Sequence, residues 1–273
     1  MTSQLQDQEQ NVSDAFSRQS VVFDDIYDNN VITLWMRNKA RAQAMKYLQP
    51  GAQILELNCG TGIDSVFFAQ QGYNVLATDN AEGMLHQLSG KISRSQLHEK
   101  ISVHKCSFNN LQLPEQRQFD HVFSNFSGLN CAADLPGVLV NVGKVIKPGG
   151  YFTYVIMPRV CPWELAMLFK GRVKGAFRRF NKSGANAHIE GVYFKCYYYN
   201  PSVVIKSMGP SFTLCALKGL ASFVPPPSME YFPAKYPRLF NGLKRIENAV
   251  CDHFPFNRWC DQYVITMQKN GEQ

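Results

Sequence analysis

The spacing of apolar residues predicts helices near the N-terminus, followed by strands and helices in alternation. Over residues 23–48, apolar side chains recur every three or four positions, and Pro50 and Gly51 end this segment. Short apolar runs then alternate with segments of helical periodicity, with strands expected near 53–57, 74–78, 101–105, 120–124 and 151–157. Strands and helices in this order form crossover connections, so we predict an α/β fold, doubly wound around a mainly parallel sheet.

The predicted organisation is a single domain over residues 23–273, preceded by a flexible tail at 1–22. The alternation stops after Pro158, where the chain becomes aromatic and basic. We expect residues 159–210 to form a lid-like insertion after the fifth strand. Further strands are expected near 212–218 and 263–267, and a helix at 237–250.

The charge is concentrated in one segment. The 273 residues include 28 Lys and Arg against 21 Asp and Glu, and 170–182 holds six basic residues and no acid. A local patch of this kind makes nucleic acid an unlikely partner. Because apolar residues are interleaved with the basic ones, 163–182 is predicted to be a basic amphipathic helix, either solvated or in peripheral contact with an anionic membrane.

Other features point to the cytoplasm. The N-terminus is polar and lacks an apolar leader segment, and no uncharged apolar run approaches the roughly 20 residues of a membrane span. The eight cysteines form no C-x-x-C pair, which excludes zinc-ribbon and thioredoxin-type sites. We expect reduced thiols in a cytoplasmic protein and no metal ligands.

A glycine-containing turn after the first predicted strand is the main candidate binding site. Asn58, Gly60 and Gly62 lie in a loop that leads into a helix, and Asn is one of the few non-glycine residues that tolerate a positive φ. Asp79 ends the next strand, where a carboxylate can bind both hydroxyls of a ribose. Glu56, just before the loop, would repel a pyrophosphate and suit a cationic ligand. Together these residues favour S-adenosylmethionine over NAD.

Over residues 45–157 the chain resembles the class I (seven-stranded, Rossmann-like) S-adenosylmethionine-dependent methyltransferases. The resemblance is carried by 56–62, 75–79, 119–125 and 145–152, with Asn58 in place of the family's first glycine. It implies a seven-stranded sheet and S-adenosylmethionine as cofactor. Where the family often has an acid near the adenine, this chain has Ser107 and Phe108. The cofactor-binding residues implied are Tyr27, Glu56, Asn58, Cys59, Gly60, Thr61, Gly62, Asp79, Asn80, Ser107, Phe108 and Asn125.

The aromatic second half of the chain is the candidate acceptor site. Residues 192–199, 222–227 and 231–232 would supply apolar, hydroxyl-tipped surface for a small, partly apolar acceptor, or would simply be core beneath the lid. His188 and Glu190 are candidate general bases. The reaction expected is O- or C-methylation by in-line displacement, on a lipid-like acceptor such as a quinone precursor if the membrane hypothesis holds.

Two other functions stay open at this point. An NAD(P)-dependent oxidoreductase uses a similar sheet, but Glu56 and the absence of a G-x-G-x-x-G sequence disfavour it. A catalytically silent protein that only binds the cofactor is the other alternative.

Overall fold

The computed structural model describes residues 3–114 and 117–271 and has nine strands. Seven form one sheet in the order β3-β2-β1-β4-β5-β9-β8, and β6 and β7 form a separate antiparallel hairpin. Strands β1 to β5 are parallel neighbours, whereas β9 runs antiparallel to both β5 and β8. The strands are β1 (Gln53–Glu56), β2 (Asn74–Asp79), β3 (Ile101–Lys105), β4 (Phe119–Ser124), β5 (Ile146–Ile156), β6 (Ala185–Ile189), β7 (Val192–Cys196), β8 (Phe212–Leu220) and β9 (Gln262–Lys269).

Helices cover both faces of the sheet, which confirms the predicted doubly wound, seven-stranded α/β fold. The helices are α1 (Ser3–Asp28), α2 (Val31–Met45), α3 (Ile63–Gln70), α4 (Glu82–Ser95), α5 (Leu135–Lys144), α6 (Pro162–Leu165), α7 (Val173–Phe177), α8 (Pro201–Met208), α9 (Phe232–Lys235) and α10 (Pro237–Val250). One apolar cluster joins β1 to α2 and α3 through residues such as Ile54, Met36 and Phe68. The other joins β5 to α5 and α8 through residues such as Phe152, Leu139 and Val204. Two buried faces explain the continuous apolar runs of the strands.

Helix α1 replaces most of the flexible tail that we expected over residues 1–22, of which 1 and 2 lie outside the described part. Ala15, Gln19 and Ser20 are buried, so one face of the helix packs against the domain. The Gln8 side-chain amide forms two hydrogen bonds of 2.8 Å with the backbone of Lys195 in β7. The polar sequence concealed this packing because Gln8, Ser13 and Ser17 make several of the contacts through side-chain hydrogen bonds.

The insertion after β5 is shorter and less regular than predicted. Helix α8 packs on α5 in the main helical layer, so the lid, as we use the term, ends near residue 200 rather than 210. The predicted amphipathic helix over 163–182 is wrong: α6, two short 3-10 helices and α7 occupy the segment, and Gly171 breaks it with φ 69°. In the described part of the chain, none of the helices combines the length and apolar character needed to cross a membrane.

Candidate functional site

The sheet reverses its strand order between β1 and β4, and a cleft opens at the carboxyl ends of these strands. Ligands of open α/β sheets bind at this switch point. The loop after β1 turns sharply into α3, with φ 46° at Asn58, 57° at Gly60 and 76° at Gly62. A β-carbon on Gly62 would lie 2.1 Å from the Leu88 side chain, so glycine is required there by space as well as by conformation.

The structure brings together seven of the predicted cofactor residues in this switch-point cleft, which holds about 790 Å³ of space including its open part. Five residues of α1 that were not predicted form much of the opposite wall. The predicted lining residues are Asn58, Gly60, Asp79, Asn80, Ser107, Phe108 and Asn125, and the α1 residues are Glu9, Val12, Ser13, Phe16 and Phe23.

Asp79 holds the backbone of the cleft in place. Its carboxylate accepts hydrogen bonds from the backbone N–H of Gly60 and of Ala81, each 2.9 Å long. Burial raises the pKa of Asp79, and these backbone hydrogen bonds oppose that rise. The carboxylate therefore links the glycine loop to the start of α4 and still faces the cleft.

Asn58 links the ends of β1 and β4. Its side chain donates to the Asn125 carbonyl at 3.2 Å and accepts from the Ser124 hydroxyl at 2.7 Å. The residue adopts the positive φ predicted for it, and a β-carbon on Gly128 would lie 2.5 Å from its side chain. The side chain thus fills space that a glycine would leave open and fixes the cleft floor.

The prediction that Glu56 faces the ligand is wrong, because Glu56 lies behind the loop and does not line the cleft. It is 2% exposed and accepts a short hydrogen bond from the Ser65 hydroxyl. Burial raises its pKa well above the ordinary carboxyl value, and the nearby Asp64 carboxylate adds to the rise. Glu56 therefore does not present a negative charge to a ligand as we expected.

The pKa of Asp64, the other carboxyl group of that buried pair, shifts in the opposite direction. Burial alone would raise its pKa, but Arg37 at 2.8 Å and Arg41 at 2.6 Å lower it. Asn125 also donates to Asp64, at 3.0 Å. This network fixes the position of Asn125 beneath the cleft.

Three further predicted loop residues face away from the cleft. Cys59 is buried, and burial raises the pKa of its thiol. Gly62 packs against Leu88, and the Thr61 hydroxyl donates to Asp24 of α1 at 2.6 Å. Asp24 also forms a 2.6 Å ion pair with Lys91 of α4. These three residues thus contribute to the site indirectly, and Thr61 does so by bonding to α1, which covers the cleft.

A second, larger cavity lies beneath the lid and is called the lid cavity here. It holds about 1690 Å³ of space including its open part, and it shares Phe16, Phe23 and Phe126 with the switch-point cleft. Tyr27 lines this cavity rather than the cleft, with its ring 4.4 Å from that of Phe23. Three aromatic rings therefore stand where the two spaces meet.

The candidate bases do not lie in either space. His188 and Glu190 are exposed on the β6–β7 hairpin, where the His188 ring lies 4.4 Å from that of Tyr193. Neither residue lines the cleft or the lid cavity. This corrects our expectation of a general base there.

The aromatic run 192–199 is also mostly structural. The Tyr199 hydroxyl donates to the Ala132 carbonyl at 2.6 Å, and Tyr198 is buried beside Arg179. Pro226, Pro227 and Tyr231 do line the lid cavity, as predicted for their segment.

A buried ion cluster forms one wall of the lid cavity. The Arg179 guanidinium, 2% exposed, donates to Asp261 at 2.6 Å and to Glu164 at 2.8 Å. Arg178 forms a bidentate pair with Glu164. Cys161, Glu164 and Asp261 have the side-chain types of a metal site, but the guanidinium already supplies the cation among them.

Comparison with known proteins gives one family match and a group of similar structures. Residues 54–150 match the family described as Methyltransferase domain. A demethylmenaquinone methyltransferase of Bacillus cereus (strain B4264) is 33% identical over 152 residues, or 53% of this chain and 61% of the relative. The chain thus spans less than two thirds of that relative's length.

Two solved structures share the fold. One is the Burkholderia thailandensis 1,6-didemethyltoxoflavin-N1-methyltransferase with S-adenosylhomocysteine bound (15% identity, TM-score 0.59, covering 95% of this chain and 88% of that one). The other is the Haemonchus contortus phosphoethanolamine N-methyltransferase 2 with S-adenosyl-L-methionine (15% identity, TM-score 0.58, covering 94% and 57%). The family match together with this fold supports S-adenosylmethionine as the cofactor.

Proposed function

We propose that this chain methylates a small, partly apolar acceptor. The premise is that residues 54–150 belong to the class I S-adenosylmethionine-dependent methyltransferases. The observation that carries the proposal is the junction of two spaces at Phe16, Phe23 and Phe126. A donor in the switch-point cleft and an acceptor in the lid cavity would face each other across this junction. Methyl transfer requires that arrangement, because the nucleophile must approach in line with the departing sulfur.

Different residues of the cleft would bind different parts of the methyl donor. Asp79 would accept hydrogen bonds from the ribose hydroxyls, while Gly60, which has no side chain, would leave room for the donor to approach the loop backbone. Phe108 offers an apolar face for the adenine ring, and Ser107 offers a hydroxyl beside it. Phe16 and Phe23 of α1 would exclude water from the opposite side.

The chemistry needs orientation more than it needs a base. Bound S-adenosylmethionine would supply an activated methyl group: as the acceptor's oxygen or carbon bonds to the methyl carbon, the carbon–sulfur bond breaks and S-adenosylhomocysteine leaves. The acceptor would give up its proton to solvent before it is enclosed at the junction. The protein's part is to hold the acceptor at the aromatic junction and to keep bulk water out.

The lid cavity indicates what kind of acceptor fits. Aromatic and proline side chains line much of it, and Lys170 and Arg172 lie at its edge without an ion pair among the described residues. Such a cavity suits an apolar molecule with a polar or anionic end. A quinone of the kind in the name of the Bacillus cereus relative is one such acceptor.

Calorimetry and label transfer test this proposal. We expect the protein to bind S-adenosylhomocysteine, to show no affinity for NADH, and to transfer tritium from methyl-labelled S-adenosylmethionine to the lipid fraction of a cell extract. Binding of NADH alone would favour an oxidoreductase instead. Binding of S-adenosylhomocysteine without transfer to any extract fraction would favour a silent cofactor-binding protein.

We also propose that this cytoplasmic protein contacts anionic membranes through the exposed part of its lid. Phe169 is 95% exposed, and Leu168, Val173 and Phe177 are exposed near it. The neighbouring basic residues are Lys170, Arg172 and Lys174. Exposed apolar side chains among cations are typical of surfaces that bind anionic lipid.

Vesicle co-sedimentation tests the membrane contact. We expect salt-sensitive binding to phosphatidylcholine vesicles that contain phosphatidylglycerol, and little binding without it. Phe169→Glu should abolish this binding, while Tyr193→Glu, at an exposed aromatic on the hairpin, should not. Equal behaviour of the two variants would contradict the proposed surface.

A further inference from the structure

Three residues that line the lid cavity each carry a buried polar atom without a hydrogen-bond partner among the described residues. These atoms are the Thr33 hydroxyl oxygen, the Trp163 indole nitrogen and the Gln262 side-chain carbonyl oxygen, each shielded from solvent. Thr33 is fully buried and Gln262 is 7% exposed. Unpaired buried polar groups are rare in native proteins because their desolvation is not repaid.

The three side chains come from separate elements with fixed backbones. Thr33 is in the first turn of α2, where the Asn30 side chain accepts from its backbone N–H at 3.0 Å. Gln262 begins β9, paired with Leu220 of β8, and Trp163 belongs to α6 of the lid. Three independent elements that line this cavity therefore each carry an unsatisfied buried polar atom.

We infer that Thr33, Trp163 and Gln262 determine the specificity of the enzyme by binding the polar groups of its methyl acceptor, an inference that rests on the proposed function. Apolar residues of similar size (Val, Phe and Met) would line the cavity without the cost of unpaired atoms. A ligand that fills the cavity and pairs these atoms gains affinity, and an analogue that lacks the matching groups leaves them unpaired.

The hydrogen-bonding capacity of the three atoms defines the acceptor class. The Trp163 N–H only donates, so it needs a carbonyl or similar oxygen. The Gln262 carbonyl only accepts, so it needs a hydroxyl or N–H, and the Thr33 hydroxyl serves either. Phe23, Phe126 and Met157 surround them with apolar surface. The structure thus assigns the acceptor to the hydroxylated aromatic ketones and related compounds that carry a donor and an acceptor on an apolar body.

Three matched probes test the assignment by calorimetry in the presence of S-adenosylhomocysteine. para-Hydroxybenzophenone has both groups, benzophenone lacks the hydroxyl, and para-benzylphenol lacks the carbonyl. We expect the first to bind about fivefold to tenfold more tightly than either of the others, the scale of one hydrogen bond to a buried atom.

A substitution at each of the three residues should remove one part of the preference for para-hydroxybenzophenone. Gln262→Met should abolish the preference over benzophenone, Trp163→Phe the preference over para-benzylphenol, and Thr33→Val should reduce at least one of them. Trp259→Phe, at a half-exposed indole outside the cavity, is the matched control and should change neither. Affinity for S-adenosylhomocysteine should be unchanged in all four.

Urea unfolding separates recognition from a structural role. Because the wild-type atoms are unpaired, Thr33→Val and Gln262→Met should unfold at the same or a higher urea concentration than wild type. Equal wild-type affinity for the three probes, no binding of any of them, or discrimination that survives the substitutions would overturn the inference. Failure of the wild-type protein to bind S-adenosylhomocysteine would instead contradict the proposed function.

Discussion

At the scale of single residues, the cleft depends on a carboxylate that the loop backbone already holds. Asp79 accepts two backbone hydrogen bonds and has further acceptor capacity toward the cleft. Asp79→Asn keeps the size of the side chain but removes the charge and one of the two acceptor oxygens, each of which accepts from a backbone N–H. We expect affinity for S-adenosylhomocysteine to fall by about 5- to 150-fold, or roughly 1–3 kcal/mol, as measured by calorimetry.

A matched substitution on another strand controls for loss of a carboxylate as such. Asp120 accepts from the Gln53 N–H at 2.8 Å and from Lys147 at 2.7 Å, and it does not line the cleft. Asp120→Asn should therefore leave cofactor affinity unchanged. An equal effect of the two substitutions would show that the ribose is bound elsewhere.

His121 gives the protein a defined sensitivity to acid. It lies in β4 and is buried, and neither ring nitrogen has a hydrogen-bond partner among the residues that the structure describes. Burial lowers its pKa from 6.5 to about 3. As the pH falls below 6.5, the unfolded chain binds a proton that the folded protein does not, so stability decreases down to about pH 3.

His121→Leu should remove that pH dependence. Between pH 7 and pH 5, wild type should lose about 2 kcal/mol more free energy of unfolding than the variant, measured by urea denaturation. The exposed His98→Leu serves as control and should lose as much as wild type. Parallel pH profiles for wild type and His121→Leu would contradict the explanation.

Residue identity predicted conformation better than it predicted contact. The positive φ of Asn58 follows from the residue and its place in the loop. The burial of Glu56 does not, because it depends on Ser65 and on the Arg37–Asp64 pair, which come from α3 and α2. The sequence around Glu56 is compatible with a carboxylate that lines the cleft and equally with one that is buried behind the loop.

At the scale of elements, the contact between α1 and α4 decides whether the cleft is covered. Gly83 of α4 lies directly under α1: a β-carbon there would be 2.5 Å from the Ser17 carbonyl oxygen. Gly83→Ala should displace α1 and weaken S-adenosylhomocysteine binding by about tenfold, within the roughly 1–3 kcal/mol cost of overpacking.

Helix α4 also contains a control position for the Gly83→Ala substitution. At Gly90 a β-carbon would meet only the flexible end of Arg94, at 3.4 Å. Gly90→Ala should therefore stabilise the protein by about 0.5–1 kcal/mol through helix propensity, with unchanged affinity. If both alanine variants bind the cofactor like wild type, α1 does not contribute to the cleft.

At the scale of the whole molecule, the buried Arg179 joins the lid to the sheet. It bridges Glu164 of α6 and Asp261, next to β9. Arg179→Met leaves two buried carboxylates without their shared partner, so the free energy of unfolding should fall by about 3–5 kcal/mol in urea. Lys147→Met breaks the half-exposed pair with Asp120 and should cost no more than about 1 kcal/mol.

The sequence by itself determined the doubly wound sheet, its switch point and the residues at the strand ends, because periodicity and turn chemistry are local properties. Tertiary structure alone decided that α1 covers the cleft, that His188 and Glu190 lie outside both spaces, and that Glu56 is buried. These depend on which elements pack together across long sequence separations. The packing partner of a helix with few apolar residues, such as α1, cannot be predicted from its sequence, because such a helix is stabilised only once the complementary surface has formed.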